Sequence, residues 1–375
     1  MRIESDKVYV YRTPVEGSEA PFEVYRDLAY AALTRLDVDL PESGRITLKP
    51  NATVLYPPEQ RIITHPGFLA GMIDALTDQG AALEQILIAE GNSGEHPEGG
   101  HTWKVSGYSD MLADKGVALE VLNGVETTSV AVEGGVVYDS YPIATAIAGS
   151  AFLFNVPLAK CHNLVCTTLS IKNLMGVLTS PVRHLCSTQE IDKPLGDDLW
   201  RITETGLSLF EDRFYHKLAD LVTAVRAIGM PRLSVVDGLI GRDGTGFNEG
   251  DNYPLGWTVI GENEVHVDTV ATYLMGLDPL QTPYLMVAAR RGLGTNAIED
   301  IEVVNLADGE VMNAAALNGA RRPEPLMPIC RTKEGYYPRY HEDGTAVPWS
   351  IDRINEQLEK DGKEALPVPS IAYAT

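Results

Sequence analysis

Cysteine is nearly missing from this chain. Cys161, Cys166, Cys186 and Cys330 are all that 375 residues contain. No Cys-x2-Cys pair occurs, which argues against a zinc ribbon or a ferredoxin-type iron–sulfur cluster. So few thiols give no disulfide framework, and a reduced, cytoplasmic protein is the expectation. Long apolar runs are missing too. No stretch of 18 apolar residues exists, so no membrane span is expected. The first residues, MRIESDKVYVYRTP, lack the apolar centre of a secretory leader. Positive charge is scarce: 30 Lys and Arg stand against 52 Asp and Glu, a net charge of -22. A field of that sign repels nucleic acid and anionic membrane surfaces, so neither is an expected partner. A small anion remains compatible, but only inside a locally basic pocket. There is no Gly-Lys-Ser/Thr of a Walker loop, no internal repeat and no low-complexity tract.

What is present is the composition of a folded soluble protein, 44% hydrophobic and 22% charged. A chain of this length suggests two domains. Four short apolar runs end in chemically capable residues. Ile46 to Leu48 leads into Lys49-Pro50-Asn51, and Ile86 to Ala89 into Glu90-Gly91-Asn92. Ala151 to Val156 leads into Pro157-Leu158-Ala159-Lys160-Cys161-His162, and Leu233 to Val236 into Asp237-Gly238. Such runs, with helical patterns between them, read as buried parallel strands. In a parallel sheet, ligands bind beyond the carboxyl ends of the strands, so these four ends converge on a candidate site.

Between the strands, Phe22 to Leu36 and Pro66 to Gln79 have helical spacing; Thr64 is placed to cap the second and Pro66 to open it. Gly91 to Gly107 reads as a loop, longer than the ~12–15 residues usual for an ordinary one. Tyr108 to Gly116 reads as a helix and Leu119 to Leu122 as a strand. Residues 125–142 read as a hairpin turning at Glu133-Gly134-Gly135. Residues 203–228, Val265 to Leu274 and Tyr284 to Arg291 read as helices. Gly238 to Gly256 is rich in turn-forming glycine, and from about residue 305 the chain reads as a tail with a short helix at 350–360.

The densest chemistry runs from Lys160-Cys161-His162 to Lys172-Asn173 and on to His184. His with Cys is a transition-metal ligand set, but Cys161-x4-Cys166 fits no standard spacing. The other reading is a basic wall in which Lys160, Lys172, Asn173 and His184 hold anion oxygens by charge-assisted hydrogen bonds. The bland reading is lysines solvated on a helix face; against it, Lys172 sits among Leu169, Ile171, Leu174 and Met175, where a lone charge is costly. His65 is either an acid–base group at a helix start or simply a cap. The Gly238-to-Gly246 glycines have the wrong spacing for a nicotinamide fingerprint, though backbone there can approach a ligand closely.

Taken in order, Lys49-Pro50-Asn51, Thr64-His65-Pro66, Glu90-Gly91, Gly107-Tyr108, Asn155-Val156-Pro157-Leu158-Ala159-Lys160-Cys161-His162, Lys172-Asn173-Leu174-Met175-Gly176, Asp237-Gly238, Val267-Asp268 and Gly276-Leu277-Asp278 resemble the DUF362 family over about residues 45–295. That family has no established general function. Many members carry a ferredoxin-type cysteine module, from which this chain departs.

The expected fold is α/β: two α/β domains, 1–145 and 146–300, with mostly parallel sheets and an interdomain cleft, and 301–375 as a wrapping tail. The expected function is an enzyme acting on a small anionic substrate in that cleft. Proton transfer of the isomerase or lyase kind suits these residues better than hydride transfer. His65, Lys160, His162, Lys172 and His184 are the candidate catalytic groups. Lys49, Asn51, Asn92, Asn173 and Gly238 are the candidate substrate contacts. Glu90 and Asp237 are the candidate ligands for a divalent metal, if one takes part; no iron–sulfur cluster is expected. A metal- or cluster-dependent redox protein and a non-catalytic binding protein are the alternatives. The assembly is open, a homo-oligomer included.

Overall fold

Thirteen of the strands carry the architecture: β1 (Val8–Arg12), β2 (Ile46–Pro50), β3 (Ile86–Glu90), β4 (Ala118–Val121), β5 (Thr127–Ala131), β6 (Ser140–Ala144), β7 (Phe152–Val156), β8 (Leu158–His162), β9 (Cys166–Thr168), β10 (Arg232–Arg242), β11 (Asn252–Gly261), β12 (Glu302–Asn305) and β13 (Val311–Asn313). The helices are α1 (Phe22–Leu33), α2 (Pro66–Asp78), α3 (Gly100–Val105), α4 (Tyr108–Met111), α5 (Thr145–Ala148), α6 (Ser170–Asn173), α7 (Leu209–Ala227), α8 (Glu264–Leu274) and α9 (Pro283–Arg290). This computed structural model describes residues 1–53, 56–91, 100–162, 164–179, 209–247, 250–331 and 336–338, and the single positions 359 and 362.

Eleven strands form one mixed sheet, in the order β13-β12-β1-β11-β10-β7-β2-β3-β4, with β8 paired to β10 and β9 paired to β8. The strands β10, β7, β2, β3 and β4 are parallel neighbours. The four runs that end in polar residues therefore lie side by side and point the same way. Each of β2, β3 and β7 is buried along its whole length. Alternation divides them between two layers: Ile86, Ile88 and Phe154 pack with α1 and α2, whereas Leu87, Ala89 and Leu153 pack with α7 and α9. A third cluster, around Val259, Trp257 and Val267, joins α8 to the far half of the sheet. Both faces covered is what a parallel sheet requires.

The α/β class with mostly parallel strands is thus what the sheet shows. One sheet serves both expected halves, however: β2, before the 145/146 boundary, pairs with β7, after it, from Ile46↔Phe152 to Pro50↔Val156. Residues 302–313, expected in a tail, supply β12 and β13, which extend the same sheet beyond β1. The expected helix at 350–360 lies outside the described residues, apart from position 359.

Locally, helices α1, α8 and α9 and the β5–β6 hairpin fall where periodicity places them. Elsewhere tertiary pairing overrides local signals. Thr64 does not cap α2; His65 does, its Nδ1 accepting the Gly67 N–H at 3.0 Å. Thr64 is drawn off by the strand ends, accepting from Asn51 N at 2.9 Å and donating to Val156 O at 2.7 Å. The glycine-rich stretch after Asp237 is a strand as far as Arg242, because β11 pairs with it through a register shift between Gly238 and Ile240. The end of the expected loop to Gly107 is helical, as α3. Among the described residues, no helix is long and apolar enough to cross a membrane.

Candidate functional site

Three polar clusters follow one another along the carboxyl edge of the parallel strands. The first lies where β2 and β3 end. Lys49, fully buried, places Nζ 3.0 Å from Glu90 Oε2 and 3.0 Å from the Pro50 carbonyl. The same Glu90 oxygen accepts the Ala52 N–H at 3.0 Å. Gly176 closes over this pair; a Cβ there would collide with Glu90 Oε1 and with Lys49 Nζ. Beside it runs a relay of three side-chain amides. Asn155 Nδ2 donates to Ser170 O at 2.9 Å, Asn173 Nδ2 donates to Asn155 Oδ1 at 2.8 Å, and Asn51 Nδ2 donates to Asn173 Oδ1 at 3.2 Å. Backbone carbonyls, which only accept, fix the sense of this relay. Two acceptors are left over: Asn51 Oδ1 and Glu90 Oε1 are buried with no hydrogen-bond partner.

The second cluster centres on Asp237, midway along β10. Its Oδ2 accepts from Arg61 Nη2 at 3.0 Å and from the His65 N–H at 3.0 Å. The Arg61 guanidinium lies 4.7 Å above the Tyr25 ring, and His65 stacks on the same ring with centroids 3.8 Å apart. Burial works against the Arg61 charge, yet Asp237 beneath it holds the guanidinium above its ordinary pKa. Burial, with Arg61 nearby, pushes His65 down to about 2, so its ring is neutral. A carboxylate of the chain therefore already occupies the positive end of α2.

The third cluster is on β8 and α6. Lys160 stands opposite Arg242 in the β8–β10 register. Its Nζ donates to Ile62 O at 2.7 Å and Gly246 O at 3.2 Å, 4.6 Å from the Phe247 ring centre. His162 Nδ1 accepts the Leu164 N–H at 3.0 Å, so the neutral ring carries its proton on Nε2. Burial first, then the charges of Lys172 and Lys160, hold His162 well below the usual imidazole pKa. Lys172 is 9% exposed. It makes no hydrogen bond or ion pair with any described residue. The turn that carries it is tethered from α8: Asp268 accepts from the Ser170 N–H at 2.7 Å, the Ile171 N–H at 3.0 Å and the Tyr284 hydroxyl at 3.1 Å. Burial pushes Asp268 up to about 7.

Of the residues singled out from sequence, Lys49, Asn51, Glu90 and Asn173 meet in the first cluster. His65 and Asp237 meet in the second, Lys160, His162 and Lys172 in the third. Asn92 and His184 lie outside the described residues. At Gly238 the missing Cβ makes room for the Trp257 ring, which lies where a side chain would stand. The Asp237 and Asp268 carboxylates are turned to Arg61 and to backbone N–H groups, not to Lys172. Arg61 and Tyr25 were not anticipated, and Thr64 and Asn155 were named only within motifs, Thr64 as a helix cap. Arg61 had one usable signal, a charge set directly before Ile62-Ile63. A metal does not fit these donors: Glu90 and Asp237 each face a cation of the chain. Among the described residues no group of three His, Cys, Asp or Glu is placed to hold an ion. Burial pushes the Cys161 thiol well up, which disfavours the thiolate that metals bind.

A thylakoid-associated protein of Synechocystis is 23% identical to this chain over 291 residues, covering 76% of this chain and 78% of its own length. A crystal structure of a Thermotoga maritima protein superposes over 64% of this chain and 55% of its own, with a TM-score of 0.36 and 10% identity, too little to bear on fold or function. The ordered motifs on the carboxyl edge fall within a longer match: residues 46–273 fit the model of the domain of unknown function DUF362, and the chain belongs to that family.

Proposed function

We propose that this protein is an enzyme that binds a small anionic substrate at the carboxyl edge of the sheet and acts on it by acid–base chemistry at the Lys160–His162–Lys172 corner. The observation that carries the reading is Lys172, a nine-tenths buried cation with no partner among the described residues, in a chain of net charge -22. The Lys172 stem is buried, its ammonium is not among the fully enclosed polar atoms, and a ligand oxyanion would supply the counter-charge that the described residues do not. His162 supports it as a neutral ring beside the two lysines. With Nδ1 committed to the Leu164 N–H, that nitrogen is not placed to abstract a proton. Lys160, held by two carbonyls, adds a fixed positive field. Lys172 is the group left to exchange a proton with the substrate. The chemistry proposed is proton transfer beside a polarised carbonyl, of the isomerase or lyase kind.

A binding protein without turnover would use the same three residues, and the commitment of His162 Nδ1 favours that second reading over any in which His162 is the base. The setting proposed is cytoplasmic; the thylakoid association of the Synechocystis relative makes membrane attachment the competing outcome of cell fractionation. The test of the site is calorimetric titration with inorganic phosphate and a panel of small carboxylates. Wild type is expected to bind at least one of them, and Lys172→Met to bind none while keeping the wild-type circular dichroism. Equal affinity in the variant would overturn the assignment.

A further inference from the structure

We propose that the ligand of this edge carries a hydroxyl group as well as its negative charge, and that Asn51 reads the hydroxyl. The inference rests on the anion site proposed above and adds a second contact to it.

The amide relay supplies the argument. Asn155 spends Nδ2 on the Ser170 carbonyl, so its Oδ1 is the end that faces Asn173. Asn173 spends Nδ2 on Asn155 and on the Lys49 carbonyl at 3.3 Å, so its Oδ1 is the end that faces Asn51. Asn51 must answer with Nδ2, and its Oδ1 is left pointing away from the relay. No rotation of one amide relieves this, because each is locked by the next and the carbonyls cannot donate. The result is an acceptor on a residue only 4% exposed, without a donor. Buried acceptors are nearly always satisfied, so an orphan fixed by its own network points to a donor from outside the chain.

The relay also ties this acceptor to the charge. Asn173, which orients Asn51, directly follows Lys172 on the four-residue turn α6, and both are held by the same Asp268 tether. The donor sought is a hydroxyl rather than an ammonium, because Lys172 is the uncompensated charge here and would repel a second cation. A polar site that has lost its partner discriminates strongly against an analogue lacking the group.

The experiment compares matched pairs: malate with succinate, and glycerol phosphate with propyl phosphate. Each is titrated calorimetrically into wild type, Asn51→Ala, Asn51→Asp and Lys172→Met. The expected result is about tenfold tighter binding of at least one hydroxylated member, the effect of one good hydrogen bond. Asn51→Ala should erase that preference, so that the two members of a pair bind alike. Asn51→Asp, which keeps an acceptor, should retain the preference even if both affinities fall. Lys172→Met should abolish binding of both members. Equal binding within both pairs, with Lys172→Met still inactive, overturns the hydroxyl inference and leaves the anion site standing, the acceptor then serving a buried water. A preference that survives Asn51→Ala overturns the assignment to Asn51. Binding untouched by Lys172→Met, or no binding of any probe to wild type, overturns both.

Discussion

Lys49 is linked to the neighbour of Lys172, for the Asn173 amide donates to the Lys49 carbonyl, yet the chain treats the two lysines in opposite ways. Lys49 is closed off: a carboxylate, a carbonyl and the bare Cα of Gly176 surround its ammonium. Lys172 has no counter-ion among the described residues. Arg61 belongs with Lys49, for Asp237 answers it as fully as Glu90 answers Lys49. The difference separates charges that build the edge from a charge that is held ready on it. Breaking a buried pair leaves its other member stranded, whereas removing a charge that has no partner relieves a cost.

The comparison can be broken most severely at Asp237. Asp237→Ala strands the Arg61 guanidinium and strips the first turn of α2, and a loss on the order of 5 kcal/mol in urea denaturation is expected. Lys49→Met strands Glu90 and should cost about 3 kcal/mol, with Lys49→Met/Glu90→Gln recovering most of it. A double variant no more stable than the single one would show that the pair does not account for the loss.

Asp268 gives an effect of similar total size, spread over pH and with a definite sign. Its carboxyl has an ordinary value of 3.8 and is pushed up to about 7 in the fold. The folded state therefore binds the proton more tightly. The stability this contributes is complete below pH 3.8 and is lost as pH rises toward 7. A slope on the order of 1 kcal/mol per pH unit is expected across that window, flattened in Asp268→Asn. Thermal unfolding of both proteins between pH 4 and 8 measures it. The smallest effect is at the other pole of the comparison: Lys172→Met should change stability by less than about 0.5 kcal/mol, or raise it. A loss as large as that of Lys49→Met would mean that Lys172 is a structural charge too.

Much of this edge was legible from sequence because its strands are short, apolar and uninterrupted. Ile46–Pro50, Ile86–Glu90 and Phe152–Val156 announce themselves by composition, and a parallel sheet brings their ends together whatever their neighbours are. What was not legible is who pairs with whom. Glu90 reaches Lys49 across β2 and β3, and Asp237 reaches Arg61 through a chain separation of 176 residues. No local pattern encodes such contacts. The strand Val8–Arg12 went unread because a five-residue segment near a chain end has no periodicity to spare, although it lies inside the sheet. Residues 238–242 misled because glycine signals a turn, whereas here it admits the Trp257 ring.

The place of β1 has a consequence for the order of assembly during synthesis. It precedes the other described strands in sequence, yet it lies between β11 and β12, with Tyr9 opposite Ile260 on one side and Val304 on the other. Those partners leave the ribosome long after it, so the sheet closes late and from the middle outward. Contacts this distant in sequence make for slow folding. Until they form, Val8–Arg12 is an unpaired strand of alternating valine and tyrosine, a ready template for association with another chain. A fragment cut to residues 46–273 would lose Tyr25 from beneath Arg61 and His65 and Tyr284 from Asp268, and would also expose the edge of β11 that β1 covers.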